Sequence, residues 1–580
     1  MRLLEIGENR FAKHGFMSVM DRFATPTAPD AIRDGLIAGN AMIRTPFGER
    51  PLVYADYTAS GRPHRAVEDR ISALHALLAN PHTEDSATGR ASNAWLREAE
   101  TTIKRAVNAS ADDALIPCGS GATAAIHKLQ EILGIACPPA SCARLWEAAE
   151  TALGADARTA LEAAIREQGP VVFIGPYEHH SNEMTWRESF ASVVRVDLAA
   201  DGGIDFDHLE ALLTDPRWQG RMRIGAFSAA SNVTGLKTDV RRLARLLHSH
   251  DAILALDCAA SAPYTAIDMH PEGDPQARID AVYFSPHKFV GGPGACGVLV
   301  FNKALYRRDL PPTVSAGGTV RYVWDGGHDF IEDIEGREKP GTPGLPQIVR
   351  AALAMELRDA VGVEAIHQRE HAALERAFAH WSQSRGVEVL GPADPDRRLG
   401  IVSFNLMDPR GGWLHPRFVT TLLSDLFGIQ ARAGCACAGP YAHTLLGIDD
   451  ERTQGFRAAV LAGNAGLRPG WSRVSLHWAM DEAEIDYVIR AIAFIAEEGW
   501  KFLDLYRFDL STGAWSWRGA TRVDAREAIC GECPEDRTAL FAALLDEART
   551  RACALSPCPD ARPRLPEAVE PLRAFSLPVE

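Results

Sequence analysis

The sequence predicts an α/β protein built around a mostly parallel sheet, and three observations carry that prediction. Short apolar runs recur at Val171–Ile174, Ile224–Ser228, Ala252–Leu256 and Ala281–Phe284, and runs this short and continuous fit strands buried on both faces. Segments with helical spacing lie between them, the order that wraps helices around both faces of a parallel sheet. Polar residues then follow the ends of successive runs, at His179, Asn232, Asp257 and Lys288. In such sheets a ligand site gathers outside the carboxyl ends of the strands.

Composition narrows the functional classes. A length of 580 residues predicts several domains, roughly three or four by size alone. The net charge of −15 argues against nucleic acid or an acidic membrane as partner. No apolar run approaches the ~18 residues of a spanning helix, and Met1–Thr25 lacks the apolar core of a signal peptide. Eleven cysteines in so long a chain read as reduced thiols, with a cytoplasmic location as the expectation.

Taken in order, residues 1–50 form an N-terminal segment expected to pack on a smaller domain. A large domain spans 51–345. It opens with a strand at Pro51–Tyr54 and the hydroxyl-rich loop Asp56–Gly61, followed by helices at Ala66–Leu78 and Ala94–Val107, the second with Asn93 as N-cap. Leu115–Pro117 ends a strand, and Cys118-Gly119-Ser120-Gly121-Ala122-Thr123 opens a helix running to about Leu133. Glycines ahead of a helix N-terminus, with the Thr123 hydroxyl beside them, make an anion cradle, although such turns also occur without a ligand. Residues 135–168 read as a helical insertion.

A strand at Val193–Val196 and a helix with Val240, Leu243 and Leu247 on one face complete the alternation before Ala252. Gly341-Thr342-Pro343 precedes a helix at Gln347–Leu357. The smaller α+β domain spans 346–499, with a helix at Val363–Trp381, a strand at Arg398–Leu406, a helix at Phe418–Phe427 and a strand around Arg473–Leu476. Asp481 and Glu484 predict a capping box for a helix burying Ile485, Val488, Ile492 and Ile495. Residues 500–580 form a C-terminal extension, with a hairpin at Tyr506–Phe508 and Trp515–Trp517, a helix at Thr538–Ala548, and a Pro-rich, poorly ordered end beyond Pro557.

The centre of this pattern is Asp257 at one strand end and Lys288 beyond the next, ahead of Gly291, Gly292 and Gly294. An amine that forms a Schiff base, and a carboxylate that keeps a pyridine nitrogen protonated, are the pair that pyridoxal 5'-phosphate requires. A solvated lysine and a loop-capping aspartate fit the same stretch taken alone.

Together the motifs resemble the class V, fold type I pyridoxal-phosphate enzymes, in particular the cysteine desulfurase and selenocysteine lyase group, in matching order over about residues 50–500. The resemblance implies a homodimer with shared active sites. It makes Gly121-Ala122-Thr123 the phosphate loop, His179 the residue stacked on the pyridine ring, Asn232 a neighbour of the phenolic oxygen and Asp257 the pyridinium partner. Ser285 and His287 match phosphate or cofactor contacts beside the Schiff-base Lys288. Thr342 matches a threonine that reaches the neighbouring subunit's phosphate, and Arg473 the clamp on the substrate carboxylate. Asn80-Pro81-His82 matches a family motif that makes His82, with Asn232, a substrate contact.

In Arg432-Ala433-Gly434-Cys435-Ala436-Cys437-Ala438, Cys437 falls where desulfurases carry the cysteine that receives sulfur as a persulfide. Cys435 is the alternative, alone or paired with it. The implied activity removes sulfur, or selenium, from L-cysteine-type amino acids and leaves alanine, passing the sulfur to an acceptor protein. Ala260 departs from the pattern, because desulfurases usually place a glutamine there. That keeps in view an aminotransferase, epimerase or C–S lyase without a persulfide. An accessory protein on the same scaffold is a third reading. Cys530, Cys533, Cys553 and Cys558 could hold zinc, but their loose spacing favours unrelated thiols, and no metal is expected.

Overall fold

The computed structural model describes residues 19–20, 22–23, 27–519, 524–556 and 563–579. Its centre is a seven-stranded sheet of β1 (Asp113–Cys118), β2 (Val171–Ile174), β3 (Ser192–Arg195), β4 (Arg223–Ser228), β5 (Ala252–Asp257), β6 (Ala281–Phe284) and β7 (Gly297–Asn302). The strand order is β1-β7-β6-β5-β4-β2-β3. Only β7 runs antiparallel to its neighbours, so the carboxyl ends of the other strands share one edge. The expected mostly parallel sheet is therefore present, and the register sets Ser228 beside Asp257 and Asp257 beside Tyr283.

The continuous apolar runs are explained by packing on both faces. Val171, Phe173, Leu254, Leu256, Val282 and Phe284 face one core, while Val172, Ile174, Ala255, Ala281 and Tyr283 face the other. Helix α1 (Gly121–Ile132) covers the second face through Ala125, Ile126 and Leu129. The helix Val240–Ser249 covers the first through Leu243, Ala244 and Leu247. Each large side chain buried in this way stabilises the fold by roughly 1.5–3 kcal/mol.

A second, antiparallel sheet joins β8 (Val387–Val389), β9 (Ile401–Leu406), β10 (Arg432–Gly434) and β11 (Trp471–Ser475) in the order β8-β9-β11-β10. The helix Glu482–Glu498 lies against it and has the expected capping box. Asp481 accepts from the Glu484 N–H at 2.8 Å, and Glu484 accepts from the Asp481 N–H at 3.2 Å. Arg33, from the N-terminal segment, pairs with both carboxylates, at 3.1 and 3.0 Å. The strand Ala41–Thr45 pairs with Ile529–Glu532, so the N-terminal segment and the C-terminal extension share a small sheet.

Several elements differ from expectation. The helix assigned to Ala94–Val107 begins at Ala87, because Ser86 rather than Asn93 caps it by accepting from the Gly89 N–H. Asn93 instead donates to Thr83 and Gly89 carbonyls. A hairpin at Val320–Trp324 and Gly327–Phe330 is new, although Asp325-Gly326 is a two-residue turn signal. The helix Asp450–Leu461 is also new. Cys137 and Cys142 are joined by a disulfide at the start of the helical insertion, against the expectation of reduced thiols.

The end of the chain is better packed than its proline content predicts. Phe575 and Leu577 are buried with Ala459 and Leu467, and Ser576 donates its N–H to the Trp413 carbonyl. Residues 557–562, with Cys558, lie outside the described residues. Among those that are described, no cluster of metal-ligating side chains occurs, and no helix is long and apolar enough to cross a membrane.

Candidate active site

The strand ends surround a cavity of about 220 Å³. Its lining includes Gly121, Ala122, Thr123, His179, Asn232, Asp257, Ser285, His287, Lys288, Cys437 and Arg473, so most of the residues singled out in the sequence meet here. Ala260 lines it as well. Thr342 and His82 do not line this cavity; they lie together elsewhere, where His82 Nε2 meets the Gly341 carbonyl at 2.8 Å and Asn80 reaches the Thr342 hydroxyl. Cys435 packs partly buried against the core instead of lining the cavity, which separates it from Cys437.

Lys288 sits on a short 3-10 turn directly after β6, held close to the Asp56–Gly61 loop. The Gly61 N–H donates to the His287 carbonyl at 2.9 Å. A Cβ at Gly61 would fall 1.9 Å from the Phe289 oxygen, so only glycine allows this approach. Burial, with Arg473 and Arg432 nearby, pulls the Lys288 amine down to about 8. Asp257 is buried and accepts from the Ala259 N–H at 2.8 Å. Burial pushes its carboxyl up to about 6, against that hydrogen bond and Lys288.

His179 accepts from the Ser181 N–H at Nδ1, 3.1 Å, which leaves the ring proton on Nε2. Burial and the neighbouring Lys288 lower it to about 3, so the ring is neutral at ordinary pH. At the other end of the cavity, helix α1 begins at Gly121 in a left-handed conformation (φ 62°), and Ser120 supplies no side-chain cap. The first turn therefore directs its N–H groups and positive end at the cavity. The Ala122 N–H already donates to the Ser285 hydroxyl at 2.8 Å, and the Thr123 and Ser181 hydroxyls bond at 2.7 Å.

The antiparallel sheet supplies the opposite wall. Arg473 on β11 donates to the Asn232 carbonyl at 2.9 Å and to Asp56 at 3.1 Å, and Arg432 pairs with it across the ladder from β10. Between these strands the chain runs through Ala436 and Cys437, both left-handed at φ 49° and 59°. Each non-glycine residue in that region costs on the order of 1–2 kcal/mol, so contacts must hold the loop in place.

Three lining or supporting residues carry no strong sequence signal. Arg432 is an exposed strand residue by pattern. Glu178 is buried beneath the strand ends, accepts from the Ser228 N–H and hydroxyl and from Asn182, and is pushed up to about 7. Gly175 makes room for it, since a Cβ there would lie 2.4 Å from Glu178 Oε1. His180 contacts the Cys437 loop directly. The adjacent pair His179-His180 was the only hint of it.

The donor set fits pyridoxal phosphate. A buried carboxylate, an amine of lowered basicity and an uncapped helix N-terminus edged by hydroxyls line one cavity, suited to a pyridinium, an aldehyde carbon and a phosphate.

Comparison with known proteins agrees. The family model for aminotransferase class-V matches residues 149–488, more than half of the chain. A probable cysteine desulfurase of Halalkalibacterium halodurans is 28% identical over 396 residues, covering 67% of this chain and 85% of the relative. One of Staphylococcus epidermidis is 30% identical over 279 residues, covering 47% of this chain and 62% of the relative. The fold is shared with a cysteine desulfurase of Thermococcus onnurineus in its apo form, at a TM-score of 0.63 and 20% identity over 82% of this chain and all of that one. It is also shared with an Escherichia coli cysteine desulfurase, at a TM-score of 0.58 and 20% identity over 81% of this chain and 99% of that one.

Proposed function

The chain belongs to the aminotransferase class-V family, and we propose that within it the protein is a pyridoxal-phosphate-dependent cysteine desulfurase. It moves sulfur, or selenium, from an L-cysteine-type amino acid onto Cys437 and leaves alanine. The observation that carries this reading is the single cavity lined by Lys288, Asp257, His179, Arg473 and Cys437.

In this reading Thr123, Ser285, His287 and the first turn of α1 hold the phosphate, Asp257 holds the proton of the ring nitrogen, and His179 offers a neutral aromatic face. Bound pyridoxal phosphate supplies the electron sink for charge developing on the substrate. Arg473 and Arg432 receive the substrate carboxylate, the planar guanidinium matching its two oxygens. Lys288, its basicity lowered to about 8 by burial, serves as the base that takes and returns a proton at the substrate Cα. The Cys437 sulfur attacks the substrate sulfur. An S–S bond forms as the substrate C–S bond breaks, the electron pair goes to carbon, and that carbon gains a proton to become the methyl of alanine.

Cys437 in the same cavity as Lys288 favours this over a persulfide-free aminotransferase, epimerase or C–S lyase. A homodimer with shared sites belongs to the same reading. Its support is that Thr342 stays away from its own chain's cavity and that the hairpin around Tyr322, Val323 and Trp324 exposes large apolar side chains. A cytoplasmic location and a sulfur-acceptor protein complete it. Incubation with L-cysteine and a reductant should yield alanine and sulfide in equal amounts. Keto acid in place of alanine would refute the proposal.

A further inference from the structure

The loop bearing Cys437 holds two successive left-handed residues, and one residue on the opposite wall ties it through both its backbone N–H and its ring. The His180 N–H donates to the Cys437 carbonyl at 2.7 Å, and His180 Nε2 accepts from the Gly439 N–H at 2.9 Å. One residue thus grips the loop on both sides of Ala438. A Cβ at position 439 would fall 3.1 Å from that ring nitrogen, a tight contact that glycine avoids. A second tie comes from Asn232, whose amide donates to the Ala436 carbonyl at 2.7 Å.

The base of this grip is rigid. His180 opens the 3-10 turn His180–Asn182. Asn182 is fully buried and fixed by Glu178, Trp186 and Tyr283. The same turn carries His179 on one side, and Ser181, bonded to Thr123 at the start of α1, on the other. The residues facing the ring, the phosphate end and the sulfur-bearing loop are thus neighbours on one short anchored segment. To accept from Gly439, His180 must be unprotonated at Nε2, and burial keeps the ring's basicity below its usual value.

We propose that His180 is a positioning residue that latches the Cys437 loop over the cavity, setting how often its thiol faces bound substrate. The role assigned to Cys437 rests on the desulfurase reading; the latch itself rests on the loop's contacts. Loss of the Nε2 acceptor leaves a segment with two successive left-handed residues and fewer ties, and that segment opens more often.

The test compares the cofactor-loaded wild type with His180→Ala, His180→Asn and His180→Gln. Gln reproduces an acceptor at the position of Nε2, and Asn does not reach it. The first readout is the rate at which iodoacetamide alkylates Cys437, followed by mass spectrometry of that peptide. It should rise about tenfold in the Ala and Asn variants and stay within about twofold of wild type in Gln. The second is alanine formation from L-cysteine, where kcat should fall in Ala and Asn with KM unchanged, and recover in Gln. Equal alkylation rates in all four proteins, or a Gln variant that behaves as Ala does, overturn the latch. If the Ala variant does not fold, the Asn and Gln pair carries the comparison. Because alkylation needs no turnover, failure of the desulfurase reading would show in the second readout alone.

Discussion

The two walls of the cavity are built on opposite principles. Lys288, Asp257 and His179 extend from strand ends of one sheet, within five residues of a strand, and their charges are tuned by burial in place. Cys437 lies on a left-handed segment after β10, held by hydrogen bonds from residues more than 200 positions away, Asn232 and His180. The cofactor side is preorganised and the sulfur side is tethered. On the proposed function, chemistry at a fixed carbon needs the first, whereas a thiol that collects sulfur and then surrenders it needs the second.

The two walls should respond differently to substitution and to pH. Lys288→Ala should lower alanine formation on the order of 10⁴-fold, because on the proposed function it removes both the covalent anchor and the base; turnover assays check it. On the tethered side, acid should loosen the fold through His415, which is buried with Nδ1 accepting from the Arg417 N–H and Nε2 facing the Gly466 carbonyl. Burial lowers it to about 4, so the unfolded chain binds its proton first as pH falls below about 6.5. Stability is then lost progressively between about pH 6.5 and 4, by about 3 kcal/mol from this residue. Urea unfolding of wild type and His415→Gln at the two pH values measures it.

Arg473→Lys should raise the KM for cysteine on the order of 30-fold, the equivalent of one charge-assisted bond of about 2 kcal/mol, with little change in kcat. In cofactor-free protein, reductive trapping of pyridoxal phosphate on Lys288 should speed up about tenfold between pH 7 and 9. The neutral amine fraction rises through the value of about 8, and a flat profile would mean that burial does not tune the lysine. The smallest effect belongs to Cys435→Ser, which should stay within about twofold of wild type, since Cys435 packs against the core instead of lining the cavity.

The preorganised side was also the legible one. A strand is short, its apolar run is continuous, and the residue that follows it is delivered to the sheet edge by the chain itself. Asp257 and Lys288 could therefore be located, and the sheet containing them assigned, from local pattern. Glu178 could not, because its burial depends on Gly175 leaving space and on Ser228, 50 positions onward, satisfying it. His180 and Arg432 were hidden for the same reason, since each acquires its place through a residue distant in sequence, Gly439 for His180 and Arg473 for Arg432. His82 lies against Gly341, beside Thr342 and outside its own chain's cavity. The exposed hairpin 320–330 had a usable signal in Asp325-Gly326, but its strands mix charges with aromatics and bury little. The disulfide between Cys137 and Cys142 had no signal beyond proximity in sequence.

If the two walls act in one reaction, a single turnover must show both at once. Cofactor-loaded protein is mixed with one equivalent of L-cysteine without reductant, alanine is counted, and the Cys437 peptide is weighed. The expected result is one alanine per active site, with Cys437 heavier by one sulfur atom and Cys435 unchanged. Alanine released while Cys437 keeps its original mass would contradict it.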